Sequence, residues 1–282
     1  MKLDYVCFNI TSLCNMACPY CYRVGNSLGS IHLSTAKKYI DLLQKYGCRT
    51  INITGGEPLL NKYWREIVKY CKQNGMFVIL STNGANLDLN DNALTNIDVL
   101  SLPLDGATAE INKQTRARGH FEAIQKLLSC YSTGDYTFSL KINTVITKYN
   151  VTTLQNIREQ IDFSGVVWKL FELRPKGMFY NFPDCGIAAS NEILCAVKEL
   201  QQGQSNCKIC FMGKSSDSAI TTVNANYIVL NYNGDVYIAS ENEDALLTNL
   251  DEDNATAIIN DLVIREVNNQ YQEELKDDFI TN

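Results

Sequence analysis

Along the first two-thirds of the chain, short runs rich in β-branched and aromatic residues alternate with amphipathic stretches. This is the pattern of repeated βα units around a parallel sheet, because each connecting helix must cover the apolar face of the strands it joins. Strands are expected near Tyr5–Asn9, Thr50–Thr54, Phe77–Ser81, Val99–Leu102, Ser139–Val145 and Val166–Phe171. Helices are expected from an N-cap at Ser34 to Tyr46, then over Lys62–Gln73, His120–Cys130, Val151–Ile161 and Asn191–Gln201. With right-handed crossovers, such units form either an open partial barrel or a doubly wound sheet, and spacing alone does not decide between them. After about Ser205 the pattern changes: Asn226–Leu230 and Val236–Ala239 flank Asn233-Gly234, a hairpin signal, and Ala255–Leu275 reads as an acidic helix. The expected organisation is a main α/β part over 1–204 and a C-terminal extension over 205–282 that closes it.

The net charge of −6 supplies no basic face for a phosphate backbone, so nucleic acid is a poor partner, although a single nucleotide is not excluded. No apolar run reaches membrane-spanning length and Met1-Lys2-Leu3-Asp4 lacks an apolar signal core, so a cytoplasmic location without membrane contact is expected. In that compartment the 11 cysteines cannot easily form a disulfide framework. Cys48, Cys71, Cys130 and Cys195 lie in apolar or amphipathic helical contexts and read as small core hydrophobes.

Cys14, Cys18 and Cys21 follow the first expected strand, which puts three thiols on a loop at the C-terminal mouth of the sheet, where α/β active sites form. Three thiolates suit an iron-sulfur cubane whose remaining iron stays open for chemistry. A zinc loop is the bland alternative, but zinc wants a fourth protein ligand and His32 lies in a segment with no paired ligand spacing. Thr54-Gly55-Gly56-Glu57-Pro58 follows the second strand. Its glycines permit close backbone approach, and Glu57 can accept or organise hydrogen bonds from an ammonium group. Ser81-Thr82-Asn83-Gly84 and Leu104-Asp105-Gly106 end the third and fourth strands, positions where polar turns are also common.

The CxxxCxYC octet, with Tyr20 before the last cysteine, resembles the radical S-adenosylmethionine (SAM) superfamily, and further positions across residues 5–172 match its pattern. The resemblance implies an α/β fold, a partial (β/α)6 TIM-like barrel, here with a short C-terminal hairpin and helix. It implies a 4Fe-4S cluster on Cys14, Cys18 and Cys21, with SAM chelating the open iron, and an electron donor such as flavodoxin or ferredoxin. It also implies SAM contacts for Tyr20, Gly55, Gly56, Glu57, Pro58, Thr82, Asn83, Asp105 and Arg118, the last pairing with the SAM carboxylate. The choice of Arg118 over Arg116 rests on its place before Gly119.

Beyond the barrel motifs, Leu140–Val151, Val167–Phe171, Ser190-Asn191-Glu192 and Asn226–Leu230 resemble viperin and its prokaryotic relatives, which dehydrate nucleoside triphosphates to 3′-deoxy-3′,4′-didehydro nucleotides. That resemblance implies that Lys141, Asn143 and Lys169 contact the nucleotide and that Tyr227 returns a hydrogen atom. The tail departs from the pattern, with Asp235 and the acidic stretch Glu241–Asp244 where basic residues belong. These would repel a triphosphate unless Mg²⁺ intervened. Arg174 and Lys176 are candidate replacement cations. Two rival readings stand beside this one: a radical SAM enzyme acting on a peptide, and a non-catalytic metal-binding sensor. Cys207-Lys208-Ile209-Cys210 is the other close cysteine pair, and with Cys185 and Cys195 it forms no recognised auxiliary cluster motif.

Overall fold

The protein's structure is a computed structural model that describes residues 4–21, 28–173, 186–213, 215, 217, 218, 220, 227–239 and 244–259. Strands β1 (Tyr5–Asn9), β2 (Thr50–Thr54), β3 (Phe77–Ser81), β4 (Val99–Pro103), β5 (Ser139–Ile146) and β6 (Val166–Glu172) run parallel and side by side, as expected. Helices α1 (Leu33–Lys45), α2 (Trp64–Gln73), α3 (Ala109–Asn112), α4 (His120–Thr133), α5 (Leu154–Ile161) and α6 (Ser190–Gln202) lie between and after them.

The chain beyond residue 205 joins the same sheet at both ends. Strand β7 (Lys208–Met212) extends it parallel to β6, and β8 (Tyr227–Asn231) pairs in parallel with β1. The Asn233-Gly234 turn then leads into β9 (Asp235–Ala239), and β10 (Ala245–Asn249) follows antiparallel to it. The order is β10-β9-β8-β1-β2-β3-β4-β5-β6-β7. The pairing of the hairpin with β1 was not foreseen, because a parallel partner over two hundred residues away leaves no local signal.

Alternate residues of each strand face opposite ways. One set, including Phe8, Ile51, Leu80, Leu100, Ile142, Trp168, Phe211 and Leu230, packs with the helices in the main core. The other forms a small inner cluster of Tyr5, Ile79, Val99 and Met212, with Cys7, Phe77, Phe171 and Tyr227 against it. Met212 on β7 and Tyr227 on β8 lie at opposite ends of the parallel strands, so their membership in one cluster requires the sheet to curl. The architecture is therefore a partial TIM-like barrel.

Several local expectations are corrected. Helix α1 is capped by His32, whose ring accepts from Ser34 N, so Ser34 lies inside the helix and is not the cap. The chain from Pro58 to Leu60 forms a 3-10 turn, and α2 starts at Trp64 instead of Lys62. Val151–Thr153 is also 3-10, so only Leu154–Ile161 of that stretch is α-helical. Cys48 and Cys71 are buried, but Cys130 and Cys195 are exposed because the apolar stripes of α4 and α6 are carried by Ile124, Leu127, Leu128 and by Ile193, Val197, Leu200. Of the expected C-terminal helix, residues 255–259 are helical and the remainder lies outside the described residues. Among the described residues, no helix is long and apolar enough to cross a membrane.

Candidate active site

Strand β1 ends at Asn9, and the loop bearing Cys14, Cys18 and Cys21 leaves from that mouth. Its base is pinched shut: Ser12 N donates to Gly29 O at 2.9 Å, and Gly29 N donates to Ser12 Oγ at 2.8 Å. The buried Asn61 amide clamps the same place by donating to the carbonyls of Ile10 and Ile31, both at 3.0 Å. None of the three cysteines is disulfide-bonded. Among the described residues, no three Cys, His, Asp or Glu side chains, the three cysteines included, are grouped closely enough to hold a metal ion. In a cubane each thiolate binds its own iron, and a loop of three thiols fits that donor chemistry.

The Gly-Gly-Glu-Pro turn packs directly on this loop. Gly56 N donates to Thr11 O and Glu57 N to Leu13 O, both at 2.7 Å. A Cβ at Gly55 would lie 2.2 Å from Thr11 O, and one at Gly56 would lie 2.2 Å from Leu13 O. The glycines therefore have a structural reason in the contact between the two loops. Gly55 also has φ of 143°. Pro58 is buried and opens the 3-10 turn that follows.

Glu57 is 1% exposed, and burial pushes its carboxyl up from the ordinary range. It accepts from Thr82 Oγ1 at 2.6 Å, Asn83 N at 2.7 Å and Leu59 N at 3.1 Å, and these bonds favour the ionised form. Of the two roles open to it in the sequence, organising the neighbouring loop is the one its contacts display. Asn83 continues the connection by donating from Nδ2 to Asn15 Oδ1 at 2.7 Å, inside the cysteine loop.

A second network comes from the loop after β4. Asp105 is 1% exposed; its carboxylate accepts from Val145 N at 2.8 Å, from the Tyr20 hydroxyl and from Arg116 Nε at 2.5 Å. Asn150 and Asn112 hold its backbone, through Asn150 Nδ2 to Asp105 O at 2.7 Å and Asp105 N to Asn112 Oδ1 at 3.1 Å. The Arg116 guanidinium lies 5.1 Å from the Tyr20 ring centroid, and its Nη1 is 3.7 Å from Cys18 Sγ. Burial opposes its charge, but the Asp105 carboxylate, Tyr20 and Cys18 more than offset this and hold the guanidinium protonated. Arg118, by contrast, is exposed. Arg116 is set against the cluster loop, a contact that the sequence did not single out.

Lys141 and Asn143 on β5 and Lys169 on β6 share the inner face, with Asn143 opposite Lys169 in register. Lys141 and Lys169 are 3% and 1% exposed. Burial, and then the charge of Lys169, lowers the Lys141 amine to about 7. Asn143 donates to Ser101 Oγ at 2.9 Å, leaving its buried Oδ1 without a hydrogen bond. Tyr227 sits on the inner face of β8 beside β1. Asp235 is engaged locally: its two oxygens accept from Asn249 Nδ2 at 2.8 Å and Asn233 Nδ2 at 2.7 Å. Arg174, Lys176, Cys185 and residues 240–243 lie outside the described residues. Cys207 belongs to the helix-facing core, whereas Cys210 pairs with Lys169 on the inner face, so the two thiols are divided between opposite faces of the sheet.

The model of the radical SAM superfamily matches residues 8–158, more than half of the chain. The chain belongs to the radical SAM superfamily. Mycofactocin maturase MftC of Mycobacterium tuberculosis (strain CDC 1551 / Oshkosh) is 31% identical over 175 residues, covering 60% of this chain and 44% of that protein. An S-adenosylmethionine-dependent nucleotide dehydratase of Flammeovirga pacifica, from the viperin-like group, is 28% identical over 182 residues, 60% of this chain and 62% of its own. The chain thus spans less than two-thirds of these curated relatives. Among solved structures, anSMEcpe with bound AdoMet and Cp18Cys peptide superposes with a TM-score of 0.69 at 16% identity, covering 99% of this chain and 84% of that one. Streptococcus suis SuiB bound to S-adenosylmethionine gives a TM-score of 0.62 at 12% identity, over 84% and 60%. At such identities the likeness speaks for the radical SAM barrel alone. A 4Fe-4S cluster and SAM are the cofactors of this superfamily.

Proposed function

We propose that this radical SAM enzyme forms a substrate radical inside the barrel and that the substrate is a nucleotide, dehydrated in the manner of the viperin-like group. The observation that carries the reading is the pair of buried lysines on the inner face, Lys141 and Lys169, with the open carbonyl of Asn143 beside them. Burial disfavours the charged form of Lys141, an anionic ligand would favour it, and a nucleotide's phosphates supply one. Similarity to nucleotide dehydratases supports the same class.

A 4Fe-4S cluster bound by Cys14, Cys18 and Cys21 would supply the electron that splits SAM and starts the radical chemistry. The protein's own residues do the rest by position. Glu57 fixes the Thr82-Asn83 turn, Asn83 ties that turn to the cysteine loop, and Asp105 holds Tyr20 and Arg116 beneath it. The exposed Arg118 would pair with the SAM carboxylate, and Arg174 and Mg²⁺ would share the phosphate charge. Tyr227, on the inner face of β8, packs against the inner cluster beside which the substrate radical would form. The electron comes from a flavodoxin- or ferredoxin-type donor, and the enzyme works in the cytoplasm.

A second reading has its own support. Mycofactocin maturase MftC is similar to this chain, and its name marks it as a maturase, consistent with a peptide substrate. Anaerobic incubation of the reconstituted enzyme with SAM and dithionite, against a panel of nucleoside triphosphates and unstructured peptides, separates the two. Release of 5′-deoxyadenosine stimulated by one nucleotide and by no peptide is expected. Stimulation by peptides alone would replace the first reading with the second.

A further inference from the structure

The inner face of β1 carries a thiol that the SAM site does not use. Cys7 lies one inward-facing step below Asn9, the last residue of β1, and so beneath the mouth from which the cysteine loop departs. Its Sγ–H donates to the Tyr5 hydroxyl at 3.4 Å, and Asn52 Nδ2 donates to Cys7 Sγ at 3.6 Å. Ser81 Oγ fixes Asn52 from the other side by donating to its Oδ1 at 2.7 Å. Cys7 is half-buried on a central strand, so the space it meets is the barrel interior. Tyr227 belongs to the same inner cluster.

An independent observation says that this interior is built to receive something. Lys141, on the inner face of β5, is 3% exposed, and its charge is felt at the Cys7 thiol, while no hydrogen bond joins its ammonium to any described residue. A polar amine buried to that degree without a hydrogen-bond partner is costly unless a ligand completes it. A ligand that satisfies Lys141 therefore occupies the barrel interior that the Cys7 thiol also faces. Burial also pushes that thiol up, outweighing its hydrogen bonds and Lys141, which keeps the S–H proton in place near neutral pH.

We propose that Cys7 is a catalytic thiol that quenches the substrate radical. This rests on the reading that a carbon radical forms in the barrel, and on nothing about which substrate carries it. In the step, the S–H bond breaks homolytically, a C–H bond forms on the substrate, and the unpaired electron remains on sulfur. Where the substrate radical expels hydroxide, the same equivalent divides, the electron going to the carbon skeleton and the proton to the hydroxide, which leaves as water. One electron and one proton then restore the thiol, the electron coming from the low-potential one-electron donor that also starts the reaction. Each turnover takes two electrons and one proton besides SAM and substrate. Tyr5, in hydrogen-bond contact with the sulfur, passes its hydroxyl hydrogen to the thiyl radical and holds the unpaired electron as a phenoxyl until that reduction.

The test uses the reconstituted full chain with SAM and dithionite in D₂O, without added substrate, so that the 5′-deoxyadenosyl radical itself is the carbon radical to be quenched. The readout is the deuterium content of each 5′-deoxyadenosine molecule by mass spectrometry, which does not depend on turnover rate. Wild type is expected to incorporate one deuterium from the exchanged thiol. Cys7→Ser keeps the size and polarity but offers an O–H bond too strong to give up its hydrogen, and should lower the labelled fraction at least tenfold. Cys210→Ser, which changes the other inner-face thiol, should retain the label. An unchanged label in Cys7→Ser, or its loss in Cys210→Ser instead, overturns the assignment. Wild type that makes no 5′-deoxyadenosine at all would overturn the radical reading along with it. Freeze-quenched electron paramagnetic resonance of the same samples gives a second readout. A phenoxyl signal is expected that both Tyr5→Phe and Cys7→Ser remove, and its persistence in Cys7→Ser would overturn the relay.

Discussion

Arg116 Nε donates to Asp105 Oδ2 at 2.5 Å while the other end of the same guanidinium lies 3.7 Å from Cys18 Sγ. One buried carboxylate thereby fixes a positive charge beside one of the three thiols, and hydrogen bonds and charges next to the sulfurs set the reduction potential of an iron-sulfur cluster. Arg116→Met removes that charge and should shift the cluster's potential downward in a redox titration followed by paramagnetic resonance. Asp105→Asn leaves Arg116 buried without its counter-charge and should destabilise the fold by about 3–5 kcal/mol in denaturant unfolding. An unmoved potential in Arg116→Met would mean that the contact with Cys18 has no electrostatic consequence.

Gly56 has no room for a side chain, since a Cβ would lie 2.2 Å from a backbone oxygen of the cysteine loop. Gly56→Ala must push the two loops apart, breaking the hydrogen bonds from Gly56 N and Glu57 N. The expected result is a chain that folds but takes up much less iron on reconstitution, measured as iron per chain beside far-ultraviolet circular dichroism. Gly75, which meets nothing within 4 Å, provides the comparison: Gly75→Asn should leave iron uptake at the wild-type level.

Glu57→Gln probes the anchor of the Thr82-Asn83 turn. Both carboxylate oxygens accept hydrogen bonds, and Thr82 Oγ1 already accepts from Gly84 N at 3.1 Å, so an amide NH₂ finds donors where it needs acceptors. Loss of charge-assisted bonds in a buried place costs roughly 1.5–3 kcal/mol. The fall in stability should be accompanied by weaker SAM binding in equilibrium dialysis, since Asn83 is tied through the same turn to Asn15.

Lys141 gives a pH dependence whose sign follows from its environment. Its amine lies near 7 in the folded chain against about 10.4 when unfolded, so the folded state resists protonation. The penalty is fully present below pH 7, shrinks as pH rises, and is gone above the unfolded value. Lys141→Met should therefore stabilise the protein by about 3–5 kcal/mol at pH 6 and by little at pH 10, in urea unfolding at the two pH values. On the nucleotide reading, wild-type affinity for a nucleoside triphosphate should fall between pH 6 and pH 8 as Lys141 loses its charge. Isothermal titration would detect this, and a flat profile would remove Lys141 from the phosphate site.

The sequence by itself determined the first six strands almost residue for residue, because alternation, turn residues and β-branched runs are local signals that parallel burial reinforces. It also located the cysteine loop and the Gly-Gly-Glu-Pro turn, since each motif is contiguous and its chemistry lies in residue type. Tertiary structure alone decided what these motifs lean on. Arg116, which the sequence did not single out, is held against the cysteine loop because Asp105, eleven residues earlier in the chain, reaches it across the loop after β4. Cys7 and Lys141 face one interior because curling brings β1 and β5 around it, although three strands separate them in the sheet. The hairpin that read as an appendage completes the sheet beside β1. Strand pairing and barrel curl join residues by their distance in space, and that distance has no period in the sequence from which to be read.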